Sequence, residues 1–238
     1  MKRTLPREAS VESDTFAKSY LRWRRSRLGQ ITDCLEKRLI LELLGDVEAL
    51  DVLDVGCGDG ALAAALSRRG GRVTGLDPDT RMLEAARTRA EAESVDLHLV
   101  PGRAEALPFM DDTFDRVVAV TALCFIPQAD QAIAEMARVL KPGGRLVIGE
   151  LGRWSLWAAI RCIRGWLRAP TWRAARFRTA GELQRLVESH RLTVREARGS
   201  VFYPHFGRAA SLMARVDPWL GRRTTFGAAF IALSATKP

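Results

Sequence analysis

A layered α/β fold built on a mostly parallel sheet is predicted by three observations. Short apolar stretches alternate with stretches of helical period through residues 52–150. A glycine-rich turn, Gly56-Cys57-Gly58-Asp59-Gly60, directly follows the first apolar stretch. After residue 190 two further strand-like stretches, 192–196 and 226–235, bring the number of strands to seven. Strands joined through helices pair in parallel by right-handed crossovers, which puts helices on both faces of the sheet. The last strand is expected to return antiparallel. At 238 residues and 47% apolar, the chain suits one domain with a sizeable core.

Residues 15–45 carry the spacing of one or two helices. Leu35, Leu39, Leu43 and Leu44 recur on one side, and Gly45 stops the run. Strand 52–55 runs into the glycine turn, and helix 61–69 ends at Gly70-Gly71. Strand 72–76, helix 80–92, strand 97–100 and the valine-rich strand 115–121 follow. Helix 130–140 is broken by Pro142-Gly143-Gly144, which turns the chain into strand 145–150. Residues 151–178 are rich in Trp and Arg. Helix 179–189 opens on Thr179 with Glu182 three residues on, the pattern of a capping box. Residues 204–223 read as a helical insertion. The expected organisation is an N-terminal helical segment, 1–46, over the cofactor and substrate site, and a domain over 47–238 with insertions at 151–178 and 204–223.

The net charge of +9 is uneven. Residues 1–30 hold eight Lys/Arg and three acids, residues 31–150 hold 13 and 21, and residues 151–238 hold 16 and four. Basic flanks around an acidic body point to an anionic partner, either nucleic acid or a membrane surface, or reflect a coding bias toward Arg. No apolar run is long enough to span a membrane, and the start lacks a secretion signal. A cytoplasmic location is expected, with peripheral contact at the inner membrane surface as an option. Cys34, Cys57, Cys124 and Cys162 match no disulfide framework or zinc pattern. They read as free thiols, and no metal is expected.

The candidate cofactor site is Val52-Leu53-Asp54-Val55-Gly56-Cys57-Gly58-Asp59-Gly60. Glycines allow a tight strand-to-helix turn and close approach of a ligand to the backbone. Asp54, just upstream, would repel a pyrophosphate but attract an ammonium or sulfonium. Asp77, in Gly75-Leu76-Asp77-Pro78-Asp79, ends the second strand about 20 residues later, where a carboxylate can accept hydrogen bonds from both ribose hydroxyls. Alternatively, Asp77 and Asp79 cap the helix starting near Thr80.

With GRAEALPFMDDTFDRVVAV (102–120) and EMARVLKPGGRLVIGE (135–150), these two stretches make residues 52–150 similar to the type 11 class I methyltransferases, the group that includes ubiquinone/menaquinone C-methyltransferases. The resemblance implies a Rossmann-like fold and S-adenosyl-L-methionine as cofactor. It implies that Asp54, Gly56, Cys57, Gly58 and Gly60 wrap the methionine part. Asp77 would take the ribose, Ala104 and Glu105 would flank the adenine, and Pro78 and Thr121 would also contact the cofactor. Two positions depart from the family pattern. Arg103 stands where many relatives have Asp, so the adenine contact falls to the Ala104 backbone. Leu123-Cys124-Phe125 stands where many carry a His, which leaves no acid or base there.

On the acceptor side the sequence offers two weak catalytic candidates, His205 and Tyr203. His98 and His190 read as structural or solvated. Read as one helix, residues 153–168 put Arg153, Arg161, Arg164 and Arg168 on one sector and Leu156, Ile160, Ile163 and Leu167 on another, with Trp154 and Trp157 near the Arg sector. That is the pattern of a membrane-interface helix, of a lid with a solvated Arg face, or of a surface for nucleic acid or protein. The leading expectation is methyl transfer to a small, apolar or lipid-like acceptor. The alternatives are a nucleic-acid methyltransferase, for which no base-amine motif or RNA-binding module is visible, and a non-catalytic cofactor-binding scaffold.

Overall fold

A computed structural model describes residues 26–160, 175–204 and 207–238. Seven strands form one sheet in the order β3-β2-β1-β4-β5-β7-β6. They are β1 (Asp51–Val55), β2 (Arg72–Asp77), β3 (His98–Pro101), β4 (Phe114–Val120), β5 (Leu140–Leu151), β6 (Thr193–Ser200) and β7 (Phe230–Thr236). The first five are parallel, and β7 runs antiparallel between β5 and β6. The order reverses between β1 and β4, so the ends of these strands diverge into a crevice at the glycine turn.

Helices cover both faces. On one face α1 (Arg27–Leu44) and α2 (Ala61–Ser67) pack on β1, β5 and β7 around Leu39, Ile40, Leu43, Leu66, Val147 and Phe230. On the other, α4 (Ala129–Val139) packs on β5 through Ile133 and Met136, and α5 (Ala180–Glu188) covers β6 and β7 through Leu183 and Val187. Helix α3 (Thr80–Glu93) flanks β2 and β3. The expected 204–223 insertion contains two short helices among its described residues, α6 (Gly207–Met213) and α7 (Asp217–Gly221). Buried Asp217 fixes α7 to the end of β6, accepting from the Ser200 hydroxyl at 2.6 Å and from the Val201 and Phe202 amides.

Several boundaries move. The Pro142-Gly143-Gly144 stretch is a bulge inside β5. Leu140 already pairs with Phe114, and the register slips before Arg145 meets Arg116. Strand β6 runs four residues past the expected 196, because the antiparallel ladder with β7 continues to Ser200. Strand β7 starts at Phe230 rather than 226, since Gly227 at φ 84° turns the chain first. The capping box of α5 forms as expected: Thr179 accepts from the Glu182 amide, and the Glu182 carboxylate accepts from the Thr179 amide.

The single helix expected over 153–168 is corrected at its start. The chain is helical only from residue 156, behind Ser155, whose hydroxyl accepts from the Ala158 amide at 3.0 Å. Arg153 and Trp154 therefore precede the helix. Arg153 is held by the Glu182 carboxylate at 2.6 Å and the Phe177 carbonyl. Trp157, expected near the Arg sector, is only 2% exposed, and its indole donates to the Tyr203 carbonyl. Leu156, expected on the apolar sector, is exposed. Residues 161–168 lie outside the described residues.

Candidate active site

The glycine turn gathers most of the expected cofactor residues. The Gly56 and Cys57 amides both donate to the Leu76 carbonyl, at 2.7 and 3.0 Å, tying the turn to the end of β2. The three glycines have different work. Gly56 and Gly60 lie at φ 75° and 73°, where a Cβ would come within 2.8 Å of the Cβ of Ala122 or Ala86, so both are demanded by packing. Gly58, at φ 54°, faces open space with nothing within 4 Å of its Cβ position. That vacancy suits a ligand lying against the backbone.

Two carboxylates flank it. Asp54 is fully buried in β1, and its Oδ2 has no hydrogen-bond partner among the described residues. Burial, and then the nearby Asp77 and Asp59, push its acid up to about 7, while the Ala63 amide pulls the other way. An orphaned buried carboxylate is costly, and a cationic ligand group would satisfy it. Asp77 accepts from the Gly58 amide and the Asp79 amide, both at 2.9 Å, and burial raises its pKa. The alternative reading of the acidic pair is thus divided. Asp79 is the cap of α3, accepting from the Arg81 amide, whereas Asp77 belongs to the glycine turn.

The remaining positions surround this pair. Pro78 is exposed between Asp77 and the cap. The Gly102 amide donates to the Asp77 carbonyl, which brings buried Ala104 and Glu105 beside the second strand. The Glu105 carboxylate is engaged by Arg103 at 2.7 Å, so this arginine neutralises its neighbour. Thr121 leaves β4 at φ 54°, and Ala122 then packs on Gly56. Cys57 is buried under Gly75, and burial pushes its thiol up.

The acceptor candidates fare differently. Tyr203 is buried, and its hydroxyl lies 2.9 Å from that of Thr32. Thr32 gives its own proton to the Leu28 carbonyl, so the Tyr203 hydroxyl donates. Burial raises its pKa against the opposing pull of the Thr32 hydrogen bond. In this arrangement Tyr203 anchors α1. His205 lies outside the described residues.

Sequence reasoning assigned no role to Glu150 and Arg178. Glu150 ends β5, is 1% exposed, accepts from the Cys124 amide at 3.2 Å and meets the Arg178 guanidinium at 3.4 Å. Burial raises it to about 8 against the opposing pull of Arg178 and the amides of the 123–124 turn. Arg178 also donates to the Leu123 carbonyl. The carboxylate therefore ties the turn after β4 to the chain returning at 175–178. Its signal was an acid closing an apolar strand, as Asp77 does. Beside it a cleft of about 920 Å³ opens between the start of α4, residues 153–159, residues 176–178 and α5.

A Rossmann-like sheet with a glycine turn shaped for a ligand and two acids on adjacent strand ends defines a class I nucleoside-cofactor protein. The family model described as "Methyltransferase domain" matches residues 53–148. The chain is 30% identical to the ubiquinone biosynthesis O-methyltransferase of Methylobacterium sp. (strain 4-46), over 79% of this chain and 78% of that one. It is 38% identical to the demethylmenaquinone methyltransferase of Tropheryma whipplei (strain Twist), over 52% of this chain and 51% of that one. Across such curated relatives it spans from 37% to 78% of their length. A crystal structure of a Thermotoga maritima SAM-dependent methyltransferase has the same fold, with a TM-score of 0.72 at 23% identity over 95% of this chain and 98% of that one. The chain belongs to the S-adenosylmethionine-dependent methyltransferases.

The cofactor supplies a methyl group on a sulfonium. The open face of Gly58, the orphaned Asp54 oxygen and Asp77 fit it, and they are the residues that would hold it. Their part would be to bind and orient it, with Asp54 balancing positive charge from inside the sheet.

Proposed function

We propose that the enzyme transfers the methyl group to a small, apolar, lipid-like aromatic acceptor of the quinone-precursor kind. The observation that carries this reading is the likeness along 79% of the chain to a ubiquinone biosynthesis O-methyltransferase. The cleft past β5 supports it, because its walls include Trp154, Phe177, Leu186 and Phe226. A sulfonium is a strong methyl donor, so alignment and exclusion of water carry most of the rate. Peripheral contact with a membrane belongs to the same proposal. Such an acceptor resides in lipid, and residues 151–238 hold 16 Lys/Arg against four acids.

The test is transfer of label from methyl-labelled cofactor to a short-chain prenylated catechol, followed by extraction into organic solvent. The reading expects a labelled methyl ether in that phase. Label that enters nucleic acid instead, with none on the catechol, would overturn it.

A further inference from the structure

The cleft beside Glu150 presents a guanidinium that a neutral quinone precursor would not use. Three guanidinium groups line it, and two are committed. Arg153 is bound by Glu182, and Arg178 by Glu150 and the Leu123 carbonyl. The acid at the mouth, Asp130, lies 3.0 Å from His190. Arg176 is different. Its amide donates to the Cys124 carbonyl at 2.8 Å, which fixes its backbone, while its exposed guanidinium has no partner among the described residues. Trp154 and Phe226 line the same cleft and are 61% and 75% exposed, which is unusual for large aromatic side chains in a folded domain.

The cleft is also coupled to the cofactor turn. Ala122 abuts Gly56, and two residues later Cys124 packs with Phe177 and Ala158 in the cleft wall. We propose that this cleft seats the methyl acceptor and selects an aromatic ring bearing a carboxylate. A planar guanidinium pairs with a carboxylate through two parallel hydrogen bonds, and flat aromatic walls suit a flat ring. The proposal rests on the reading of the acceptor as a small aromatic molecule and adds the charge it must carry.

The test uses two stable, fluorescent probes, 1-hydroxy-2-naphthoate and 1-naphthol, titrated into the full chain loaded with S-adenosylhomocysteine. The naphthoate should bind roughly tenfold more tightly or better. Arg176→Gln should abolish that preference and leave S-adenosylhomocysteine affinity unchanged. Trp154→Ala should weaken both probes. Both side chains are exposed, so neither variant threatens the fold. Equal binding of the two probes, a preference that survives Arg176→Gln, or displacement of S-adenosylhomocysteine by the naphthoate would overturn the proposal. The readout needs no turnover. Discrimination between the probes without methylation of any aromatic acceptor would uphold the cleft and defeat the acceptor reading. Methylation of catechols without discrimination would do the reverse.

Discussion

Gly58 and its two neighbours separate ligand space from packing within five residues. Gly58→Val should abolish S-adenosylhomocysteine binding, because the side chain would fill the one open face of the turn and the backbone sits at φ 54°. Gly60→Ala should instead lower the melting temperature through its 2.8 Å approach to Ala86. Calorimetry and thermal melts on both variants check this, and a Gly58→Val protein with full affinity would place the cofactor elsewhere. Asp54 and Glu150 make a second prediction. Burial raises both, to about 7 and about 8, so the folded chain holds these protons more tightly than the unfolded chain does. Their contribution to stability is complete below about pH 4 and is lost as pH rises through the folded values. The cofactor-free protein should therefore melt progressively lower from about pH 5 to about pH 8.5. Asp54→Asn with Glu150→Gln should flatten the slope, and an unchanged slope would refute the assignment. At this scale the glycines and acids of the candidate site were legible, because such residues at strand ends are local signals. The link between Glu150 and Arg178 was not, since it joins residues 28 apart through a segment without periodicity.

Trp157 shows where helical-wheel reasoning over 153–168 went astray. The wheel assumed one helix from Arg153, but Ser155 caps a start at residue 156, so Arg153 and Trp154 hold no place on it. Trp157 turns inward against Tyr203, at 6.2 Å between ring centroids, and ties the stretch after β5 to α1 by way of Thr32. Trp157→Ala should destabilise the fold by about 3–5 kcal/mol, measured by denaturant unfolding, whereas Leu156→Ala should change it little. Equal, small effects would mean that this stretch is not docked. The α/β alternation itself was readable because β1 and β2 are short apolar runs closed by Gly56 and Asp77 and are followed by stretches of helical period. The ends of β6 and β7 were not, because the ladder between them and the turn at Gly227 set their limits, rather than any change in hydrophobicity.

The molecule as a whole divides its charge, with an acidic body that carries the cofactor turn and a basic C-terminal part that carries the cleft. Vesicles containing anionic lipid should retain the protein at low salt and release it at high salt, because contacts of this kind are screened. Flotation without protein in the lipid fraction at low salt would remove the membrane contact from the proposal. The central claim is that the turn between β1 and α2 and the acid ending β2 hold S-adenosylmethionine. The most direct test is calorimetric titration of S-adenosylmethionine into wild-type protein and Asp77→Ala. The account predicts about micromolar binding, weakened by about 1.5–3 kcal/mol in the variant, the scale of hydrogen bonds to a charged group. Unchanged affinity in Asp77→Ala, or tighter binding of a nicotinamide dinucleotide to the wild type, would contradict it.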